Sequence, residues 1–416
     1  MMQTTRRFFL KNGALAVAGT AALPGFLTRA ALAATEPLRR EQRLVVVFQR
    51  GAVDGLNMVI PYQERNYYAL RPSIAVPREK VLDLNGRFGL HPAMGSLTPL
   101  YKQGHLAVVH AVGSPDGTRS HFDAQDYMES GTPGVKATRD GWLNRALLAE
   151  DMRRSQAHTA FRAVALGADV PRTLAGAAPA LAIANVQDFA VGGRGEKPSP
   201  ASAAFETMYD QSTDSLLHGT GGEAFEAIRM LRATNPGQYR PAAGANYPES
   251  VFAKSMKQVA QLLKADLGVE VAFTDLSGWD THENQGAVEG QLANRLRDMS
   301  DSLAAFWRDL GDEAENVTVV TMSEFGRTAA QNGTGGTDHG HANAMLVLGG
   351  GVRGGHVYGK WPGLEPEQLN EGRDLVVTTD YRRVLGELIE KQMGRVNLEA
   401  VFPHARLTQG EFLGLI

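Results

Sequence analysis

Residues 269–322 read VEVAFTDLSGWDTHENQGAVEGQLANRLRDMSDSLAAFWRDLGDEAENVTVVTM. The stretch opens on a β-rich apolar run, Val269–Thr274, and closes on another, Val317–Met322. Between them Leu292, Leu296, Met299, Leu303, Phe306 and Leu310 recur at alternating spacings of four and three. That spacing gathers them on one face of a helix, which Gly311 ends. Strand, helix, strand in this order calls for a right-handed crossover and a parallel pair. Further runs flank the unit: Leu44–Phe48, Ala107–Val112, Arg162–Gly167 and Ala344–Leu348. Leu44–Phe48 is continuously apolar, as a strand buried on both faces must be. Met94–Gln103 reads as helical, and Tyr381–Gln392 buries Val384, Leu385, Leu388 and Ile389 along one face. The expected fold is α/β, a central, mostly parallel sheet with helices on both faces.

The first 33 residues read as an export leader. Arg6 and Arg7 precede an apolar stretch from Ala14 to Leu27, and Ala31-Leu32-Ala33 fits a small-residue cleavage site. Paired arginines point to the twin-arginine route, so the export machinery is an expected partner and the periplasm or the exterior the expected location. Pro24 and Gly25 interrupt the apolar stretch, and no later run is long enough to span a bilayer. The leader holds Arg6, Arg7, Lys11 and Arg29 and no acid. Its removal takes the net charge from −3 to about −7, against a nucleic-acid partner. Cysteine is absent, so the core alone must hold an exported chain together. Residues 34–416 read as one domain. The stretch from about 170 to 247, rich in Ala, Gly, Pro and Ser, reads as an insertion or cap on it.

Polar clusters stand where strands end. In an open α/β sheet ligands bind at the carboxyl ends of strands, and acids gathered there with histidines are raw material for a metal site. Asp280 and His282 lie two apart after the run at Val269–Thr274, a spacing that shares one face in extended backbone. Glu324 and Arg327 follow Val317–Met322. Asp338, His339 and His341 sit in or beside the loop Gly333–Gly340, where glycine gives the backbone freedom to converge. Asp54 follows the first strand within Arg50-Gly51-Ala52-Val53-Asp54-Gly55; it reads either as a ligand or as a turn aspartate before glycine. Ser120, in Arg119-Ser120-His121-Phe122-Asp123, reads either as the N-cap of a helix, bonding near Asp123, or as a nucleophile at a helix N-terminus. His121 reads as a ligand, a base or a packed side chain.

Sharper motifs fail. Residues 349–354 match a dinucleotide fingerprint, but Gly355, Gly359 and Pro362 deny it the helix that must receive the pyrophosphate. Trp361 stands where a phosphate loop needs Ser or Thr. There is no G-x-S-x-G elbow and no H-E-x-x-H. A redox enzyme with an organic cofactor would rest on that failed fingerprint alone.

Several segments together resemble the exported bacterial family known as domain of unknown function 1501. They are Gln49–Asn57, Arg119–Asp123, Gly141–Arg145, Gly278–His282, Ser323–Thr328 and Gly335–Gly340. The likeness runs from about Leu44 to Pro403. That family is grouped with the alkaline-phosphatase-like superfamily, which includes sulfatases. The resemblance implies a central sheet with helices on both faces and one or two divalent ions (zinc, manganese, calcium or magnesium) at the strand ends, beside a nucleophile. By order, Asp54 resembles the first-strand metal acid, Ser120 the nucleophile, and Asp280 and His282 an acid–histidine ligand pair. Glu324 falls where an Asp-His pair usually ends a strand, and His341 or His339 resembles the last ligand histidine. Phe325 stands where a second ligand histidine is expected. Arg119 and Arg327 are candidate clamps for anionic oxygens. The expected function is a metal-dependent hydrolase of phosphate or sulfate esters with Ser120 as nucleophile. The alternative is an inactive, metal-stabilised protein that binds an envelope glycan or a secreted partner.

Overall fold

The computed structural model describes residues 42–154, 158–187, 227–394 and 397–416; the leader lies outside them. In chain order the main elements are β1 (Arg43–Arg50), β2 (Leu106–Gly113), α1 (His121–Ser130), α2 (Trp142–Arg154), β3 (Ala163–Ala165), β4 (Leu181–Ala182), α3 (Val251–Lys264), β5 (Val271–Ser277), α4 (Gln291–Leu310), β6 (Val317–Met322), β7 (Asn343–Gly349), β8 (Val357–Tyr358), β9 (Thr379–Asp380) and α5 (Tyr381–Gln392). One sheet runs in the order β8-β2-β7-β6-β1-β5-β3-β4, with β9 also on β2. β1 is central and parallel to both β5 and β6. β7 alone runs against its neighbours, β2 and β6.

The two-residue period of β1 divides the core. Val45 and Val47 face one layer, with Phe252, Met256 and Val259 of α3 and Leu292, Leu296 and Leu303 of α4. Leu44, Val46 and Phe48 face the other, with Trp142 and Leu143 of α2 and Val384, Leu385 and Leu388 of α5. The sheet is therefore covered on both sides, as its apolar strands require. Tyr381–Gln392 is a helix over the residues the periodicity predicts. The stretch read as one helix at Met94–Gln103 is a 3₁₀ turn, Pro92–Leu97, followed by a short α-helix, Thr98–Lys102. Pro99 lacks an N–H to donate, so the α-helix starts at Thr98 instead of running through.

The flanks of the expected insertion are woven into the main domain. Leu181–Ala182 is the edge strand of the sheet, parallel to β3. On the far side, the buried Asp309 carboxylate of α4 accepts from Tyr239 Oη (2.7 Å), Tyr247 Oη (3.0 Å) and Ala242 N (2.8 Å). The middle of the stretch, 188–226, lies outside the described residues. No helix among the described residues is long and apolar enough to cross a membrane.

The topology brings four loops to one end of the sheet, the last of them joining β6 to β7. They follow the carboxyl ends of β1, β2, β5 and β6, and the amino end of β7 lies there too, since β7 runs antiparallel.

Candidate metal centre

Three imidazoles and one carboxylate converge above that end. His121 Nε2 lies 3.0 Å from His339 Nε2 and 3.5 Å from Asp280 Oδ1. His339 Nε2 lies 3.4 Å from the same oxygen. These three donors are mutually close enough to hold one ion. His282 Nε2 adjoins two of them, 2.9 Å from His339 Nε2 and 3.0 Å from Asp280 Oδ1.

Each imidazole is held from behind. His121 Nδ1–H donates to Glu324 Oε1 (2.8 Å), His282 Nδ1–H to Asp338 Oδ1 (3.0 Å) and His339 Nδ1–H to the Arg119 carbonyl (2.8 Å). A carbonyl or carboxylate can only accept, so each neutral ring carries its hydrogen at Nδ1 and turns a bare Nε2 lone pair inward. Lone pair then faces lone pair at hydrogen-bond distance, and a proton or a cation must stand between them. One proton relieves one such edge and leaves the other. Metal-ligating histidines are oriented in this way, with the outer nitrogen donating to an acceptor. Zinc–ligand bonds of ordinary length would put tetrahedral donors about 3.3 Å apart, close to the 3.0, 3.4 and 3.5 Å edges of the triangle. The residues present fit a divalent ion.

The electrostatics agree. The Glu324 hydrogen bond raises the His121 pKa above the ordinary imidazole value, against the opposing effect of burial. Burial lowers that of His339, and the charges of His121 and Arg327 push it the same way. Burial works to raise Asp280, but the hydrogen bond and charge of Arg327 outweigh it and hold it ionised. Burial likewise opposes ionisation of Glu324, and donors from His121, Gln125 and Gly51 prevail.

Sequence neighbours fix these side chains. His121 and Gln125 lie four apart on α1 and share a face; Gln125 Nε2 donates to Glu324 Oε1 at 2.8 Å. Ser120 is the N-cap of α1, its hydroxyl accepting weakly from Asp123 N at 3.5 Å, and it is exposed. Phe325 packs behind two of the imidazoles, ring centroids 4.9 Å from His121 and 5.0 Å from His339. Gly336 is pressed against the loop after β5: a methyl group there would overlap the His282 carbonyl. An open, polar cleft of ≈ 380 Å³ adjoins the centre, lined in part by Asp280, His282, Asn332 and Asp338.

Other candidates stand elsewhere. Asp54 is not in the cluster: it is fully buried, and its Oδ2 accepts from Arg71 Nη1 (2.6 Å) and Gln285 Nε2 (2.7 Å). The turn after β1 buries Asp54 beside a cation 17 residues on, which neutralises it without a metal. Glu324 is one imidazole removed, behind His121. His341 turns away, its Nε2 donating to the Ser114 carbonyl at 3.0 Å. Arg327 is buried and donates to Asp280 Oδ1 (2.6 Å) and to the Ala52 carbonyl (2.7 Å). Arg119 pairs with Glu371 and Asp374, each at 2.7 Å. Both arginines are thus spoken for by acids of the fold. Gln285, Gln125 and Arg71 were not singled out by the sequence; the i, i+4 spacing from His121 marks Gln125 alone.

Fold and site together define an α/β protein with a histidine–carboxylate centre at its strand ends. The chain belongs to the family described as Protein of unknown function (DUF1501), whose profile matches residues 41–402. No curated protein matches it at the sequence level. Among solved structures it is similar to the zinc complex of the C-terminal periplasmic domain of EcEptC from Escherichia coli (10% identity, TM-score 0.34, covering 74% of this chain and 73% of that one). It is similar also to the lipoteichoic acid synthase LtaP from Listeria monocytogenes (9%, 0.33, 90% and 74%) and to the PsFucS1 sulfatase from Pseudoalteromonas sp. (14%, 0.34, 80% and 66%).

Proposed function

We propose that this protein is an exported, metal-dependent hydrolase of phosphate or sulfate esters. One observation carries the reading: three Nε2 lone pairs and Asp280 Oδ1 meet, with every imidazole fixed at Nδ1 by an acceptor. His121, Asp280 and His339 would hold the ion, with His282 adjoining. When bound, the ion supplies Lewis-acid stabilisation of charge developing on the ester. Ser120 Oγ would attack phosphorus or sulfur, its hydroxyl proton passing to solvent, and the bond to the alcohol oxygen would break, that oxygen leaving as the alcohol with a proton taken from solvent. Its place at the start of the ten-residue α1 favours a transferring anion, because free N–H groups and the helix dipole point that way. Water would later cleave the seryl ester. The leader expected in residues 1–33 would send the folded chain through the twin-arginine route to the periplasm or beyond.

The test is a screen of phosphomonoesters, phosphodiesters and sulfate esters with the metal-loaded chain and with Ser120→Ala. Turnover lost in Ser120→Ala, with metal retained, supports the scheme; turnover surviving that change refutes the covalent step.

The engagement of Arg119 and Arg327 favours a second reading. Arg327 is buried against Asp280 and Arg119 is paired through Nε and Nη2 with Asp374 and Glu371, and the adjoining cleft is rich in carboxylates and amides. The centre would then be structural and the cleft would bind a hydroxyl-rich envelope glycan. No turnover across the screen, with glycan binding that needs the metal, selects it.

A further inference from the structure

We infer that Asp54 and Gln285 form a buried relay that positions the metal centre, locking together the loops that carry Asp280 and His339, two of its three ligands. The inference rests on the centre being a divalent-metal site.

The relay runs through one amide. Gln285 is fully buried, and its Nε2 donates to Asp54 Oδ2 at 2.7 Å. A carboxylate accepts only, so this contact fixes which way the amide faces. Gln285 Oε1 is thereby turned to the opposite side, where it accepts from Thr281 Oγ1 (2.8 Å) and Thr337 Oγ1 (2.9 Å). Thr281 stands between Asp280 and His282. Thr337 stands beside Asp338, which holds His282, and two residues before His339. One amide oxygen thus ties the loop after β5 to the loop before β7. The backbones meet at the same level: Thr337 N donates to the Thr281 carbonyl (3.1 Å) and Gln285 N to the Gly335 carbonyl (2.9 Å).

Asp54 also sets the stem of the second loop. Its partner Arg71, itself buried, donates to the Thr328 carbonyl (2.8 Å) and the Ala329 carbonyl (2.9 Å). Thr328 N in turn donates to the Asp338 carbonyl at 2.9 Å. The Gln285 amide gives the buried Asp54 carboxylate a second donor beside Arg71. That second contact leads, through two hydroxyls, to the loops that carry Asp280 and His339. Asp54 is therefore a positioning residue that touches no member of the cluster.

Gln285→Met tests this, because it keeps the volume and leaves the Asp54–Arg71 pair intact. Zinc affinity is read by competition with a chromophoric chelator, and ligand geometry by the visible absorption of the cobalt-substituted chain. Removal of an outer-shell partner weakens metal binding about 10–100-fold, and that loss is expected here, with an altered cobalt spectrum. A merely structural role would lower the melting temperature of the metal-free chain and leave both readouts unchanged. Thr281→Val with Thr337→Val cuts the same link without touching the amide and should lose affinity to a similar degree. Thr281→Ser with Thr337→Ser keeps the hydroxyls and should bind as the native chain does. Native affinity and spectrum in both Gln285→Met and the double valine variant overturn the relay alone. A native chain that takes up neither zinc nor cobalt overturns the metal reading and the relay with it.

Discussion

Glu324→Gln separates charge from shape at the centre. Three donors, Gly51 N, His121 Nδ1 and Gln125 Nε2, meet the single oxygen Oε1, each at 2.8 Å. The other oxygen accepts from Ser323 Oγ at 3.1 Å, and that hydroxyl also donates to the Gln49 carbonyl at 2.8 Å. A glutamine can keep its carbonyl toward the three donors and turn its NH₂ toward the Ser323 oxygen. The packing survives, and only the negative charge behind His121 is lost. That charge makes His121 a stronger base, so its loss should weaken metal binding about 10–100-fold, or roughly 1.4–2.7 kcal/mol. The assay is chelator competition with zinc, alongside circular dichroism of the metal-free chain. Unchanged affinity in a folded Glu324→Gln chain would refute the argument that the carboxylate tunes a ligand.

Ser120→Ala should abolish turnover yet cost only about 0.5 kcal/mol of stability, because its capping bond is long; thermal melts and ester assays measure the two effects separately. Gly336→Ala should destabilise the fold by about 1–3 kcal/mol and loosen the metal, since the added methyl group overlaps the His282 carbonyl; native zinc affinity in that variant would count against the packing argument. Burial pushes His110 down to about 4, with its Nε2 donating to the Val59 carbonyl. Above pH 6.5 both folded and unfolded forms are neutral there; as pH falls from 6.5 toward 4 only the unfolded chain takes the proton. Stability should fall across that window by up to about 3 kcal/mol, and urea midpoints of His110→Gln should show a flatter slope than the native chain.

The sheet was legible because its strands are short apolar runs bounded by polar clusters, and α4 because one helical stripe spans it. The direction of β7 was not: a continuous apolar run reads the same whether its neighbours are parallel or antiparallel. At the site, Asp280, His282, His121 and His339 were legible as clusters at strand ends. The sequence could not separate His339 from His341, because a glycine-rich loop has no fixed period; the fold sends one to the centre and the other to the Ser114 carbonyl. The two readings of Asp54 stay open in the sequence for a related reason. An acid after the first strand looks like a ligand until its buried cation is found, and Arg71 is joined to it only by the tertiary structure. Glu324 reads as a ligand at a strand end, and its place behind the cluster depends on α1 inserting His121 ahead of it.

The most direct test is the metal content of the chain purified without chelator, compared with an Asp280→Ala, His339→Ala double variant. About one divalent ion per native chain and none in the variant is expected, with the fold retained in both. Metal-free native protein that stays empty when offered zinc, manganese, calcium or magnesium would contradict the metal reading.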